Sequence, residues 1–414
     1  MGCGASSAAS AKAPDAAPAV PASFTPPPRD APESEWCNLV PKPDLSEVTM
    51  GANIPAFYLC IHDNQADDAP RLTVVSLQDG SLEPVRIKDR GRGLAAARGL
   101  ECLWLIDAKA AGKEQDYYAT MESGGNAWLF KLSRKRGQWV AHGVKQFAVA
   151  PPPGAAAEAP QCEGARCFVD EGRLWLEYAS RGGRNGGTPV TPWVARHPFD
   201  VKAVRKGRWQ LDPGALEVTY WPQVDNDPDV RQCADLGHAP GMARYGQLFA
   251  AAYDDPEHET HFRSYILERL PGAQAGGVEN CKPLFIVRGG KIEAIHDLTR
   301  DLTVFATDDE GRGATLTLLH RHSGAAWRIA VQPPEGEDPR LYGVSGIAPV
   351  DPSVTKQRDS SSSEEESEAE EEEEEGDQGR DRDRDNRDRR RSGEGDDGGG
   401  GGGMMEMFGG GEED

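Results

Sequence analysis

Between residues 36 and 352 apolar and polar positions alternate in short runs, and no stretch keeps the 3.6-residue period of a long helix. Gly, Pro, Asp and Asn break these runs at short intervals, which predicts strands joined by tight turns. The pattern also repeats. Residues 119–139 read ATMESGGNAWLFKLSRKRGQW, and residues 306–327 read ATDDEGRGATLTLLHRHSGAAW. Each gives a strand, a Gly-bearing polar turn, an alternating strand, a basic turn and a Trp opening the next strand. Looser copies run over 173–209, 247–288 and 56–87. One further strand per copy is predicted at Leu100–Asp107, Arg166–Asp170, Pro240–Arg244, Ile292–Leu298 and Tyr342–Val350.

A four-stranded antiparallel unit leaves an apolar face that only a neighbouring unit can cover. Repeated units of this kind resemble β-propeller domains. The resemblance implies an all-β body: a single propeller of about five four-stranded blades, closed by Tyr342–Val350 pairing into the sheet of Ala56–Ile87. A sixth blade stays open, because Leu216–Trp221 and Ser46–Met50 are candidate strands without a unit. No WD dipeptide, kelch double glycine or sialidase Asp-box is present, so no propeller family is named; a pair of β-sandwiches is the alternative. Trp139, Trp209 and Trp327 recur at matching places and are read as packing between blades.

The ends differ from the body. Residues 1–35 are rich in Ala, Ser and Pro and read as a tether; residues 353–414 are Ser, Glu, Arg-Asp and Gly tracts that bury too little to fold. Residues 359–414 carry 23 acidic and 7 basic side chains, so about −16 of the net −22 lies there and the body is close to −6. A mildly acidic body argues against nucleic acid as a partner. No run approaches the 18 apolar residues of a membrane span, and a monomer is expected.

Met1-Gly2-Cys3-Gly4-Ala5-Ser6 opens the chain. Gly2 with Ser6 fits an N-myristoylation acceptor, with Cys3 available for a second lipid, and two chains anchor where one barely does. Gly2-Cys3 before a small-residue tether also resembles the start of a mature bacterial lipoprotein, with Cys3 lipidated. Both imply a membrane surface as partner. The bacterial envelope is favoured, and the cytosolic face of a eukaryotic membrane is the alternative.

Cys162 with Cys167, and Cys233 with Cys281, are candidate disulfides. In a propeller the turns between second and third strands share one rim. Three of them are acidic: Asp63, Asp67 and Asp68; Asp254, Asp255 and Glu257; Asp308, Asp309 and Glu310. The corresponding turn of the third copy carries Arg181 and Arg184 instead. Such a split field suits a cationic partner or Ca²⁺, although Asp also simply suits turns. Asp225-Asn-Asp227-Pro-Asp229 departs from an EF-hand loop at Val230 and Leu236, and His258-Glu-Thr-His261 lacks zinc-helix spacing. No cofactor is predicted. No nucleophile elbow or phosphate loop is present, so no catalytic residue is named. The expectation is a membrane-anchored binding or scaffold module for a protein or small molecule. The alternative is a hydrolase or lyase at the central funnel. Two or more buried carboxylates or histidines there would mark the alternative, whereas an apolar axis would mark the scaffold.

Overall fold

The computed structural model describes residues 37–63, 69–109, 112–113, 115–153, 155, 161–185, 188–190, 192–222, 230–237, 248–253, 262–308 and 313–356. The body is all-β, with helices of no more than five residues among these. The tether, with Gly2 and Cys3, and the acidic tail lie outside the described residues.

Cys37–Asn38 (β1) and Val40–Pro41 (β2) open the described chain and are followed by a one-turn helix, Ser46–Thr49 (α1). Phe57–Ile61 (β3), Leu72–Ser76 (β4) and Leu82–Ile87 (β5) form a first antiparallel meander. Leu100–Ile106 (β6), Tyr117–Glu122 (β7), Asn126–Lys135 (β8) and Gln138–Ala148 (β9) form a second. A third begins with Cys162–Asp170 (β10) and Arg173–Ser180 (β11). A two-stranded hairpin, Gly183–Asn185 (β12) and Thr188–Val190 (β13), is inserted before its third strand, Trp193–Pro198 (β14). A short helix, Val201–Arg205 (α2), precedes its last strand, Glu217–Tyr220 (β15).

Val230–Leu236 (β16), Leu248–Tyr253 (β17), Arg263–Leu270 (β18) and Asn280–Arg288 (β19) make the fourth meander. Ile292–Asp297 (β20), Leu302–Thr307 (β21), Thr315–His320 (β22) and Ala325–Ala330 (β23) make the fifth. Gly346–Pro349 (β24) then returns to the first meander, where Gly346 pairs with Ile61 and Pro349 with Tyr58.

Alternation decides which neighbour each face covers, because successive strand residues point to opposite sides. In β3, Tyr58 and Cys60 enter an apolar cluster with Val304 and Leu316 of the fifth meander. Leu59 and Ile61 enter another with Leu103 and Phe130 of the second. Similar clusters lie between second and third (Trp104, Leu129, Leu176, Trp193), third and fourth (Ala179, Val194, Phe249, Leu267), and fourth and fifth (Ile266, Phe285, Phe305, Leu319). Each fully buried Leu, Ile or Phe contributes about 1.5–3 kcal/mol of transfer free energy. The first strands also touch in cyclic order: β24 with β6, β6 with β10, β10 with β16, β16 with β20, and β20 with β24.

Outer edges are joined as well, which removes open strand edges. Parallel pairing of Val85–Ile87 with Trp139–Ala141 merges the first two meanders into one eight-stranded sheet. Cys37–Asn38 pairs with β19 and Val40–Pro41 with β23, so one extended segment spans the fourth and fifth sheets, and Leu39 packs between them. Single parallel bridges, Ser81 to Gln332 and Tyr220 to Val278, tie two further edges. Near the second and third sheets, Trp209 packs edge-on against Phe147 and Phe199 at 5.5 and 5.4 Å.

Some boundaries differ from the sequence reading. The third unit's first strand begins at Cys162, four residues before Arg166. The fourth unit's first strand is β16; Pro240–Arg244 lies outside the described residues. Leu216–Trp221 supplies the last strand of the third unit and Ser46–Thr49 is helical, so neither demands a sixth unit. Trp209 lies in no strand.

Candidate functional site

At the start of three first strands a single glutamate interrupts an apolar run: Leu100-Glu101-Cys102, Cys162-Glu163-Gly164 and Ile292-Glu293-Ala294. In each case the ladder shifts by one residue there. Leu100 pairs with Glu122 but Cys102 with Met121; Cys162 pairs with Ser180 but Gly164 with Ala179; Ile292 pairs with Thr307 but Ala294 with Ala306. Each glutamate is therefore the extra residue of a β-bulge, a device that re-aims one side chain. β16 is irregular after Arg231, at the corresponding place. Close approach of the strands is needed to bring these residues together. At Gly164 a Cβ would lie 2.9 Å from the Leu236 backbone nitrogen, and at Gly346 one would lie 2.8 Å from Leu103.

The carboxylates of Glu101, Glu163 and Glu293 converge within 4.8 Å of one another. Glu163 and Glu293 are 1% and 4% exposed. Arg231 Nη1 bridges them, donating to Glu163 at 2.9 Å and to Glu293 at 3.0 Å. Arg181 Nη1 adds 3.0 Å to Glu163, and Lys291 Nζ adds 2.9 Å to Glu293. Glu101 has no hydrogen-bond or ion-pair partner among the described residues, and it keeps part of its surface open while protein surrounds it on nearly every side.

Burial pushes the Glu101 carboxyl well above the ordinary range; Glu163, Asp63 and Glu293 push the same way, and Arg231 opposes them. Burial also raises Glu163, against the pull of Arg231. Glu101, Glu163 and Glu293 thus lie with Arg181, Arg231 and Lys291, and the Asp63 charge acts on Glu101 as well. The same three glutamates are the residues that could hold a divalent cation, in competition with the Arg231 guanidinium.

Two of the predicted rim acids reach this cluster. Asp63 follows β3 at the end where Ile61 meets Gly346, and its charge acts on Glu101. The Asp308 N–H donates to the Lys291 carbonyl at 3.0 Å. Between them His62 is buried, held by the Gly343 carbonyl and Thr73 Oγ1 at 2.8 Å each, and burial lowers its pKa to about 4. Asp67, Asp68, Asp254, Asp255, Glu257, Asp309 and Glu310 lie outside the described residues, as do Asp225, Asp227, Asp229, His258 and His261.

The disulfide expectation is corrected: Cys162, Cys167, Cys233 and Cys281 are all free thiols. Cys162 and Cys167 stand five residues apart in one extended strand, roughly 16 Å, beyond the reach of a bridge. Cys233 and Cys281 lie on β16 and β19, with β17 and β18 between them. Burial raises the Cys162, Cys167 and Cys233 thiols and pushes Cys281 up to about 12, so they act as small apolar side chains. No helix among the described residues is long and apolar enough to cross a membrane.

No known protein family matches the chain, and no curated protein does. Among solved structures it is similar to an alpha-L-arabinofuranosidase from Lactobacillus brevis, with 10% identity and a TM-score of 0.31 over 54% of this chain and 70% of that one. A likeness of that size carries no argument about function.

Proposed function

We propose that the five meanders are blades of one closed five-bladed β-propeller, and that the chain is a hydrolase or lyase working by general acid–base chemistry at the ring's axis. The cyclic order of the first strands, the five apolar clusters between successive meanders and the return of β24 to β3 support the ring. One observation favours the enzyme over the scaffold: three bulged glutamates converge where the first strands meet, two fixed by Arg and Lys and one without a partner among the described residues.

The roles follow from the two environments. Glu101 holds a proton at neutral pH and donates it to a leaving group. Glu163 or Glu293 takes up a proton from the attacking water or from substrate carbon. Arg231 keeps those two carboxylates apart in charge and fixed in place. The test has two arms. Carbon-13 titration of Glu101 is expected to give a midpoint above the ordinary carboxyl range, and a midpoint near ~4.3 sinks the assignment. Turnover on a panel of chromogenic esters and glycosides is expected to fall about 100-fold or more in Glu101→Gln; undiminished turnover in that variant removes Glu101 from the chemistry.

The lipid anchor at Gly2 or Cys3 stands beside this as a proposal about location, and free thiols take away the disulfide argument for the bacterial envelope. Intact-mass measurement separates a diacylglyceryl Cys3, an acylated Gly2 and a bare terminus.

A further inference from the structure

Towards the turn between β8 and β9, the second sheet presents a basic face. Trp139 and Ala141 of β9, Leu132 of β8 and Val85 of β5 enter the apolar cluster between the first and second sheets. Arg134 lies on that side as well, 5.0 Å from the Trp139 ring centre and paired with Glu83 at 3.1 Å. Alternation puts the intervening residues on the opposite face. There Val140 pairs with Ser133 on one side and with Arg86 on the other, and Gln138 pairs with Lys135. Lys131 stands two residues before Ser133 and Lys135 two residues after it, each about 7 Å away along the strand.

Ser133, at the centre of this face, is 6% exposed, and its Oγ is enclosed with no hydrogen-bond partner among the described residues. Enclosed hydroxyls in folded proteins are nearly always bonded, because an unmet one forfeits its hydration. The cations around it also lack acids. Arg86, Lys131 and Lys135 form no ion pair among the described residues, and Lys131 instead lies 5.5 Å over the Tyr117 ring. None of residues 84–88, 131–136 and 138–142 is acidic. A donor without an acceptor thus sits among positive charges without counter-charges.

We propose that Ser133, with Arg86, Lys131, Lys135 and the Gln138 amide, binds the phosphate groups of a soluble, multiply charged phosphate compound. The Ser133 hydroxyl donates to a phosphate oxygen, Arg86 offers its planar fork from two strands away, and the lysines supply point charges on either side. Lysine stems are long and flexible, so such a ligand reaches the hydroxyl by moving side chains and not backbone. A carboxylate, with one charge and two oxygens, would leave most of these donors unused. A flat bilayer surface would leave the enclosed hydroxyl unmet. β7 and β8 separate β9 from β6 and Glu101, so the site stands independently of the acid–base chemistry.

Isothermal titration of the full chain with sodium tripolyphosphate, at about 0.15 M salt to screen exposed charges, is expected to show saturable binding. Ser133→Ala is expected to weaken it at least about tenfold, while the unliganded variant stays as stable as the native chain. Lys131→Gln combined with Lys135→Gln should weaken binding further. Lys282→Gln combined with Arg328→Gln, which removes exposed cations of the fourth and fifth sheets, should leave it within about twofold. The site is overturned by any of three results: no saturable binding in the native chain, unchanged binding in Ser133→Ala, or equal weakening by the two double variants. Binding to phosphatidylglycerol vesicles without binding of tripolyphosphate overturns it too, in favour of a bilayer contact. Should the variants unfold, lysine acetylation of the native chain decides. Saturating tripolyphosphate must slow modification of Lys131 and Lys135 relative to Lys282, and uniform rates overturn the proposal.

Discussion

Two buried charge clusters in this protein use the same residue types to opposite ends. Between the third and fourth sheets, Arg166 and Arg269 share the Glu177 carboxylate, and Arg269 also binds Glu279 at 2.9 Å, which in turn accepts from Thr219 Oγ1 at 2.6 Å. The side chains of Arg166, Glu177 and Arg269 are 0% exposed, and two guanidinium groups meet two carboxylates. Where the first strands meet, Glu101 lies with Glu163 and Glu293 and has no hydrogen-bond or ion-pair partner among the described residues. In the first cluster each carboxylate is held by at least one guanidinium. The second contains one carboxyl with no such partner among the described residues, so pairing rather than burial distinguishes the two clusters.

The sharpest way to break this contrast is Glu177→Ala, which removes the carboxylate that two enclosed guanidinium groups share. It is expected to cost about 3–5 kcal/mol in urea denaturation; a loss under about 1 kcal/mol would place that network with exposed pairs instead.

pH separates the clusters next. His62 is neutral in the fold because burial holds its pKa at about 4. Its contribution is complete above the ordinary histidine range and is lost as pH falls towards 4, about 3 kcal/mol in all. Buried His296, its pKa lowered to about 3, adds a slope of the same sign, so urea melts between pH 7 and 4 should lose about half of the histidine slope in His62→Gln. Glu101 acts with the other sign: its raised pKa makes stability fall as pH rises above the ordinary carboxyl range.

A smaller effect tests the geometry that brings the glutamates together. Gly164→Ala puts a methyl 2.9 Å from both the Leu236 nitrogen and Cγ, and should cost about 1–3 kcal/mol while disturbing the Arg231–Glu163 contact. The smallest change is Glu101→Gln. Replacing a neutral acid by a neutral amide should leave stability at pH 7 undiminished and flatten its fall towards alkaline pH. A large loss of stability would mean that Glu101 is ionised and structural.

Much of the architecture was legible in the sequence because alternation and turn residues are local signals. The copies at 119–139 and 306–327 correspond to β7–β8 with the opening of β9, and to β21–β22 with the opening of β23. Trp139 is fully buried, as a packing residue should be, and Trp327 packs on the cluster between the fifth and first sheets. The site was not legible in the same way. Starting the third unit at Arg166 left out Glu163, and taking Pro240–Arg244 as a first strand left out Arg231. Glu101 and Glu293 fell at strand openings, where an acid passes for turn chemistry. A signal was present nonetheless, since LECL, CEGA and IEAI each place one acid inside an apolar run at a matching position. Only the bulges reveal that these acids are turned inward, and a bulge leaves no mark in the sequence. The rim acids were noticed for their number; the structure ties Asp63 and Asp308 to the cluster through neighbours far away in the chain.

The pairing of β24 with β3 has a consequence for how the molecule is made. Residues 57–61 cannot acquire their inner partner until residues 346–349 have left the ribosome, so the first sheet waits, three strands wide, through most of synthesis. A polypeptide cut short anywhere before Gly346 keeps that vacancy permanently, and β3 becomes the place where such fragments would stick to one another.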